Sequence, residues 1–515
     1  MVTRHRDGCA RVLRRVAGPA PDRPDLRSCA LDLTPPSRAT GDAPGGPELD
    51  EAAQLAERRR WQALGVCLLV GFMSLLDVSI VNVALPSIER GLGASEADLS
   101  WVLSGYALTF GLTLIPAGVL GDLWGRRTAF LVGLVLFAVS SAACGLAPTA
   151  TALVVSRLVQ GMASGLLGPQ ITGLIQEMFS GPARARAFGY FGTTVGLATA
   201  VGPLSGGLLI SLAGGQSSWR WVFIVNLPIS VVAFVLALRL IPRSTGGGLA
   251  AGGRRRVDLV GVALLAAGLL AILLPLVQAQ QWKGATKWLL IPLGVLLLAG
   301  FVGWERRCRL PLVDLSLFSL RSYRYGVLLG LLYFAGFTPI FFIFTLFLQR
   351  GLGYSALQAG AAITPFAIGS GVAATVGGRL VSRHGRTVII VGLVAVIIGT
   401  LATALAVHEV PGHAAALATA APLALAGIGS GLTISPNVTL SLAPVPVARA
   451  GTAGGVLQTS QRLGTAIGVA CIGAVFFAHL AQDGNWAAAF QLGVLVATAF
   501  EATALLCALA DARRP

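Results

Sequence analysis

Charged residues are scarce in this chain of 515 residues. They make up 12% of the sequence, and hydrophobic residues make up 55%, whereas a soluble domain carries about 25% charged residues. Mean hydropathy is +0.77. So little charge excludes an ordinary water-soluble domain and predicts an integral membrane protein.

Residues that form disulfides, metal sites and catalytic sites are also few. The seven Cys are dispersed without a CxxC pair, and the five His stand apart from acidic or Cys partners, so we expect no disulfide framework and no metal site. The absence of a GxxxxGK[ST] phosphate loop argues against an ATP-driven pump. No cluster of nucleophile, base and metal ligand is present, so we expect neither an enzyme nor a bound cofactor.

The net charge of +16 arises mostly after residue 60, where 27 basic residues accompany 13 acidic ones. They are scattered between apolar runs rather than gathered on one face, which argues against a nucleic-acid partner. Fourteen apolar runs of about 20 residues predict fourteen membrane spans. With the N-terminus inside, the cytoplasmic segments hold 20 of those basic residues and the outer loops five. The positive-inside rule therefore predicts that both termini are cytoplasmic.

Two stretches of the chain recur at a fixed distance. The Gly-rich turn Gly118–Arg127, with one Asp and two Arg between apolar runs, returns as Gly378–Arg386, 260 residues later. The segment Arg90–Gly93 returns as Arg350–Gly353 with the same offset. Two related halves in a membrane protein predict a substrate path at their interface.

The offset predicts an all-α polytopic fold with two pseudo-symmetric six-helix bundles and an inserted helix pair. We assign residues 61–243 to the first bundle, 244–320 to a linker with the inserted pair (spans 7 and 8), and 321–515 to the second bundle. The pair carries no membrane-embedded charge, so we expect it to be peripheral. Residues 1–60 have no apolar run and are expected to be a disordered cytoplasmic tail, or the product of an overlong start.

Four short motifs lie between the first and the fifth predicted helices. They are Leu76–Pro86 in helix 1, Gly118–Arg127 in loop 2–3, Arg157–Gly161 in helix 4 and Gly202–Gly207 in helix 5. Together with the helix count they resemble the major facilitator superfamily, and within it the fourteen-helix drug:proton antiporters. Loop 2–3 departs from that family only where Leu123 replaces the usual basic residue. The helix 4 motif is linked in the family with proton transfer, and the helix 5 motif with antiport.

The resemblance implies proton-driven export of amphipathic, often cationic, drugs or secondary metabolites by alternating access. The partners would be a small molecule, protons and membrane lipid, and a monomer in the cell membrane would suffice. One alternative is proton-coupled transport of another solute, such as an amino acid, peptide, siderophore or lipid precursor. A second is a sensor or scaffold that transports nothing, although no soluble signalling domain supports it.

A carboxylate and a guanidinium at similar membrane depth form the candidate coupling site. Asp77 lies about 15 residues into helix 1, and Arg157 lies about 8 residues into helix 4 from the opposite side. An intramembrane charge costs at least about 2.5–3.5 kcal/mol, so Asp77 requires water, a partner or a proton. We expect Asp77 to bind a proton or a cation and to pair with Arg157 when ionised, with Gln160 sharing the hydrogen bonds. A static ion pair is the alternative.

The loop 2–3 motif is a candidate cytoplasmic gate, composed of Gly118, Asp122, Gly125, Arg126 and Arg127. We expect the Asp122 carboxylate to face a helix N-terminus from the other half. Its two Arg residues would pair or bind lipid phosphate. Such a latch would set the inward/outward equilibrium, whereas the alternative is a turn that only fixes topology. Ser382 replaces the Asp in the second half, so the equivalent latch should be weaker.

Helix 5 carries small residues that favour close helix packing, namely Gly202, Pro203, Gly206 and Gly207. Packing alone accounts for these glycines, and a gating role follows only from the resemblance.

Secondary polar and aromatic candidates are Asn82, Arg462, Glu501, Phe337 and Phe341. Because Glu501 lies about eight residues from its helix end, we expect its side chain to reach the cytoplasmic surface rather than to couple protons. In helix 9, Phe334, Phe337, Phe341 and Phe344 recur at a spacing of three to four and would form one face. That face would suit an aromatic cation, although lipid exposure is an equal alternative.

Overall fold

The computed structural model describes residues 46–215, 217–243, 258–278, 282, 284–308, 311–410 and 412–512. Every long regular element in these ranges is a helix. In chain order the long helices are α1 (Gly46–Leu92), α2 (Glu96–Trp124), α3 (Arg126–Leu146), α4 (Ala150–Met178), α5 (Gly181–Ala213), α6 (Ser218–Leu240), α7 (Leu259–Val277), α8 (Ala285–Glu305), α9 (Arg321–Gly351), α10 (Ala356–His384), α11 (Arg386–Glu409), α12 (Gly412–Leu442), α13 (Val447–Asp483) and α14 (Trp486–Ala512).

Thirteen helices in the described ranges are long and apolar enough to cross a membrane. The other long helix, α5, has 33 residues and would extend about 50 Å at 1.5 Å per residue. That length exceeds the hydrocarbon core of about 30 Å. The helices therefore fit the all-α polytopic fold predicted from the sequence, in which α5 is the fourteenth span. The boundaries assigned to the two bundles stay a prediction.

Helix α1 begins earlier than the sequence predicts. Residues 46–60 are helical, so the expected disorder was wrong for this part of the tail, and residues 1–45 lie outside the described residues. The segment from Glu51 to Arg60 is rich in Ala, Gln, Glu and Arg, which are good helix formers. Directly after this segment, Trp61 Nε1 donates a hydrogen bond to Glu57 Oε1 at 3.4 Å.

Glycines set the distance at which α2 crosses α13. A Cβ built on Gly118 would lie 2.4 Å from the carbonyl oxygen of Gly451, and one on Gly455 would lie 2.5 Å from that of Leu114. The two helices therefore touch backbone to backbone, as small residues permit in membranes. This crossing joins a helix of the predicted first bundle to one of the second.

A second crossing of the same kind joins α5 to α10. A Cβ on Gly378 would lie 2.6 Å from the carbonyl oxygen of Ala185. Next to it, Thr193 Oγ1 donates to the Gly371 carbonyl at 2.7 Å and lies 2.7 Å from Thr375 Oγ1. The two predicted bundles thus meet along two glycine-lined helix pairs.

The inserted pair is less peripheral than the sequence suggests. Helices α7 and α8 pack closely, since a Cβ on Gly294 would lie 2.8 Å from the Gly268 carbonyl oxygen. Helix α8 leaves much of its apolar surface exposed, but α7 packs against both α2 and α13. Gln278 Nε2 at its end donates to Ser104 Oγ of α2 at 3.0 Å. The peripheral role therefore fits α8 and was wrong for α7, whose apolar side covers the line where α2 meets α13.

Candidate functional site

Asp77 lies at the centre of a buried polar cluster formed by α1, α4 and α6. Its Oδ2 accepts a hydrogen bond from Arg157 Nη1 at 2.6 Å. Its Oδ1 accepts from Gln160 Nε2 at 3.0 Å and from Asn226 Nδ2 at 2.8 Å. None of these four residues is more than 1% exposed. The structure therefore brings Asp77, Arg157 and Gln160 together, and it adds Asn226 as a fourth member.

Ser141 of α3 ties the two amides of the cluster to each other. Its Oγ accepts from Gln160 Nε2 at 3.1 Å and from Asn226 Nδ2 at 3.0 Å, and it donates to the Phe223 carbonyl at 2.9 Å. Sequence reasoning missed Ser141 and Asn226. A signal was available for Asn226, because it is the lone amide in the apolar run of α6 and intramembrane polar groups need partners.

Arg157 is held on three sides. Besides Asp77, its Nε donates to the Val102 carbonyl at 3.1 Å, and its Nη1 donates to Gln160 Oε1 at 2.8 Å. The guanidinium also lies over the Tyr106 ring, with Cζ 4.1 Å from the centroid, where cation–π attraction is favourable. Arg keeps its charge when buried. Protonation of Asp77 would therefore remove the one carboxylate that balances Arg157.

An aromatic column leads from this cluster to the second half of the chain. The Tyr106 ring is followed on α2 by Phe110, with centroids 6.2 Å apart and planes 20° from parallel. Arg462 of α13 covers the Phe110 ring, with Cζ 4.4 Å from the centroid. Two guanidinium groups thus bracket two rings. Arg462 makes no direct contact with Asp77 in the described part of the chain.

The Asp122 carboxylate binds the first α-helical turn of α13. Its Oδ1 accepts from the Gly451 backbone N–H at 3.1 Å. Its Oδ2 accepts from the Thr452 N–H at 2.8 Å and from Thr452 Oγ1 at 2.9 Å. This is the predicted placement of Asp122 against a helix N-terminus from the other half, where a negative charge is favourable.

The two Arg residues of the motif have protein partners. Arg126 Nη2 donates to Asp122 Oδ1 at 3.1 Å and to the Val447 carbonyl of the second half. Its Nη1 donates to the Gly173 carbonyl at 2.8 Å. Arg127 Nη2 donates to the Leu238 carbonyl at 2.6 Å. Of the two alternatives for these residues, pairing and lipid binding, the structure shows protein contacts.

Gly118 and Gly125 shape this loop. Gly118 provides the close approach to Gly451 described above, and Gly125 has φ +90° between α2 and α3, a conformation that favours glycine. In the second half Ser382 is exposed, and its Oγ donates to the Arg379 carbonyl of its own helix at 2.9 Å. The equivalent loop thus lacks the Asp122 type of contact at Ser382, and a weaker latch there stays a prediction.

The helix 5 motif packs α5 against α1 beside Asp77. A Cβ on Gly202 would lie 2.3 Å from Ser79 Cβ, and one on Gly206 would lie 2.9 Å from Ile80 Cγ1. Nothing lies within 4 Å of the corresponding position on Gly207. Helix α5 continues through Pro203 as one helix. The motif therefore contains two glycines required by packing and one that is not.

Replacing Gly202 with valine is expected to disrupt the α1–α5 contact, whereas Gly207→Val is expected to be tolerated. The Gly202 side chain would overlap Ser79, and overpacking of this kind costs about 1–3 kcal/mol. Thermal unfolding of both purified variants provides the measurement. A melting temperature for Gly202→Val equal to that of Gly207→Val would contradict the packing role.

Asn82 and Glu501 lie outside the Asp77 cluster. Asn82 is exposed, and its Nδ2 donates to the Val78 carbonyl of its own helix at 3.1 Å. Glu501 is fully buried and accepts from Thr400 Oγ1 of α11 at 3.2 Å. The expectation that Glu501 reaches the cytoplasmic surface was therefore wrong. Its side chain points into the second bundle, 2.9 Å from a Cβ built on Gly336, instead of along α14.

The phenylalanines of α9 divide into two groups. Phe337 and Phe341 meet each other at 5.1 Å between centroids, and both meet Phe366 of α10, at 5.2 and 4.8 Å. Phe344 instead packs against Phe490 of α14 at 5.5 Å. Phe344 thus contacts a different neighbouring helix, and a single aromatic face stays a prediction. Phe337 and Phe341 are half-buried, next to a second-bundle helix.

Comparison with known proteins places this geometry in context. The family model of the Major Facilitator Superfamily matches residues 67–469, and it matches again over residues 326–514. A proton:xylose symporter of known structure shares the fold, with a TM-score of 0.64, 15% identity and coverage of 87% of this chain and 95% of the other.

Several proteins are more similar to this chain in sequence than the xylose symporter is. The chain is 36% identical to the "Probable actinorhodin transporter" of Streptomyces coelicolor, over 87% of this chain and 78% of the relative. It is 34% identical to puromycin resistance protein pur8 of Streptomyces alboniger, over 88% and 93% respectively. It is 35% identical to a cephamycin export protein of Amycolatopsis lactamdurans, over 78% and 82%.

Proposed function

Because the chain belongs to the Major Facilitator Superfamily, we propose that it is a proton-driven antiporter that exports antibiotics or drug-like molecules across the cytoplasmic membrane. The names of its relatives support export, since they include a puromycin resistance protein and a cephamycin export protein. Members of this superfamily are transporters and not enzymes. The observation that carries proton coupling is the buried Asp77–Arg157 pair.

Proton binding at Asp77 would change the charge of a closed network. The carboxylate accepts three hydrogen bonds, from Arg157, Gln160 and Asn226. A proton on the carboxylate neutralises it and leaves Arg157 without its counter-charge. Since the cluster joins α1, α4 and α6, the helix arrangement that suits ionised Asp77 differs from the one that suits the neutral form. Proton binding therefore biases a conformational equilibrium.

The contacts of Asp122 support an assignment of the conformational state. Its contacts close the face of the protein where α2 ends and α13 begins. With both termini inside, as the distribution of basic residues predicts, this face is cytoplasmic. The structure then corresponds to the state closed towards the cytoplasm. Protonation from outside would release substrate outward, and loss of the proton inside would permit reloading. One chain supplies both the cluster and the latch, so a monomer suffices.

Proton movement induced by substrate tests the proposal. Inside-out vesicles containing the protein are energised, internal acidity is followed, and a panel of antibiotics, lipophilic cations, aromatic acids and amino acids is added. We expect some antibiotics or drug-like compounds to discharge the gradient with wild type but not with Asp77→Asn.

A matched control is Glu89→Gln, because Glu89 is an exposed acid on the same helix and should leave the response unchanged. If Asp77→Asn responds as wild type does, the pair is static and coupling through Asp77 is wrong. A response to amino acids alone would support the alternative of another small solute as cargo.

A further inference from the structure

Arg462 places a positive charge deep in the membrane-spanning region. It lies twelve residues after Ala450, where the α-helical part of α13 begins, which corresponds to about 18 Å along the axis. The hydrocarbon core is about 30 Å thick, so Arg462 lies near its middle. Lipid phosphates at the cytoplasmic surface lie too far away to be its regular partners.

No acidic residue balances this charge in the part of the chain that the structure describes. Arg462 forms no ion pair or hydrogen bond there, and its contact is with the face of the Phe110 ring. This differs from Arg157, which has a carboxylate and a carbonyl. The N–H groups of Arg462 therefore have no acceptor among the described residues, and a guanidinium can donate two of them to a planar anion. An intramembrane charge without a partner is costly, so Arg462 calls for an anion from outside the chain.

A second donor lies one helical turn away on the same side of α13. Gln458 is four residues before Arg462, and residues at this spacing are neighbours on a helix surface. Its Nε2 is buried and has no hydrogen-bond acceptor among the described residues. Its side chain lies against α4, with Oε1 2.5 Å from a Cβ built on Gly168. Gln458 and Arg462 thus offer neighbouring donors where α13 meets α2 and α4.

The one intramembrane acid of the first bundle is not available to a cationic substrate in this state. Asp77 is completely buried, and both of its oxygens are occupied by Arg157, Gln160 and Asn226. The cationic substrate suggested by the sequence would therefore meet Arg462, which is only half-buried, before it could meet Asp77. The charge offered at the junction of the two bundles is positive.

We propose that Arg462 and Gln458 form a binding site for the acidic group of an aromatic substrate, such as a carboxylate. The proposal rests on the proposed export function and narrows its substrate class to aromatic acids. The column from Arg462 through Phe110 and Tyr106 to Arg157 connects this site to the Asp77 cluster. In this proposal the substrate binds at the Arg462 end of the column, and the proton binds at the Arg157 end, on Asp77.

Binding of matched pyrene probes tests the site without a proton gradient. Purified protein in nanodiscs is titrated with 1-pyrenebutyrate, its methyl ester and the corresponding trimethylammonium derivative, and fluorescence anisotropy is recorded. We expect wild type to bind the acid at least about tenfold more tightly than the ester, as one charge-assisted contact allows. The trimethylammonium probe should bind more weakly than the ester.

Three variants test whether Arg462 is responsible for the preference for the acid over the ester. Arg462→Gln should remove the preference for the acid while binding of the ester stays unchanged, which also shows that the variant is folded. Arg462→Lys should retain part of the preference, because the charge remains without the planar fork. Arg350→Gln is the matched control, since Arg350 is exposed at the end of α9, and it should behave as wild type.

The proposal is overturned if wild type does not prefer the acid, or if Arg462→Gln keeps that preference. Asp77→Asn separates this result from the transport result. An acid preference that survives in Asp77→Asn, in protein that no longer discharges the gradient, supports both proposals. If Asp77→Asn discharges the gradient as wild type does, the coupling proposal fails. The proposal for Arg462 is then still decided by the binding titrations alone.

Discussion

Replacing Arg157 with alanine is expected to abolish transport and to lower the free energy of unfolding by about 3–5 kcal/mol, the usual cost of removing one member of a buried ion pair. The substitution leaves Asp77 buried with the two amides of Gln160 and Asn226 but without its counter-charge. It also removes the cation from the Tyr106 ring. Thermal unfolding and substrate-induced proton movement measure the two losses.

The double variant Asp77→Asn with Arg157→Gln separates stability from coupling. It removes both charges and keeps side chains that can hydrogen-bond, so it should regain most of the lost stability, as replacement of a complete buried pair often does. Proton movement should remain absent, because the group proposed to bind the proton is gone. A double variant that again couples protons to export would show that the pair serves only to hold α1 and α4 together.

Replacing Gly118 with valine is expected to prevent closure of the Asp122 face. A Cβ at this position would lie 2.4 Å from the Gly451 carbonyl oxygen, and the two backbones cannot separate without breaking the hydrogen bonds of Asp122. Overpacking of about 1–3 kcal/mol would shift the equilibrium between the two states by roughly 5- to 150-fold. Transport should fall accordingly, because the closed state would be rarely populated.

Thiol labelling reports the shift directly. Ala453→Cys, in an otherwise cysteine-free chain, places a thiol at a position of α13 that is fully buried in the closed state. A maleimide that cannot cross the membrane should label it faster in Gly118→Val when added from the cytoplasmic side. Gly303→Val is the control, since nothing lies within 4 Å of the corresponding position on Gly303. Equal labelling rates in the two variants would mean that the α2–α13 crossing does not control access.

The central pair could be predicted from the sequence because charges in apolar runs are conspicuous. Asp77 and Arg157 lie at matching depths on separate helices, and the cost of burying each charge alone requires a partner. Asn226 could be noticed as the lone amide in the apolar run of α6, but neither Asn226 nor Ser141 could be assigned to Asp77 from the sequence. Both are neutral, and their place beside Asp77 depends on the rotation of α3 and α6, which periodicity alone does not determine.

Glu501 illustrates the opposite outcome. Its distance from the end of α14 suggested that the side chain would reach the cytoplasmic surface, but the direction of a side chain depends on which face of the helix it occupies. That face meets Gly336 of α9 and Thr400 of α11, so the carboxyl group is enclosed. The sequence also identified Arg462 as a charge within a predicted span. It could not predict that Arg462 lacks an acidic partner, because that depends on which helices surround it.

Helix α7 touches two helices that alternating access would draw apart. It is hydrogen-bonded to α2 through Gln278 and Ser104, and it also packs along α13. When α2 and α13 separate, α7 can travel with only one of them, so every cycle must expose and rebury one apolar strip of this helix. During that interval acyl chains of the bilayer would compete for the strip. The speed of this transporter should therefore depend on the lipid around it.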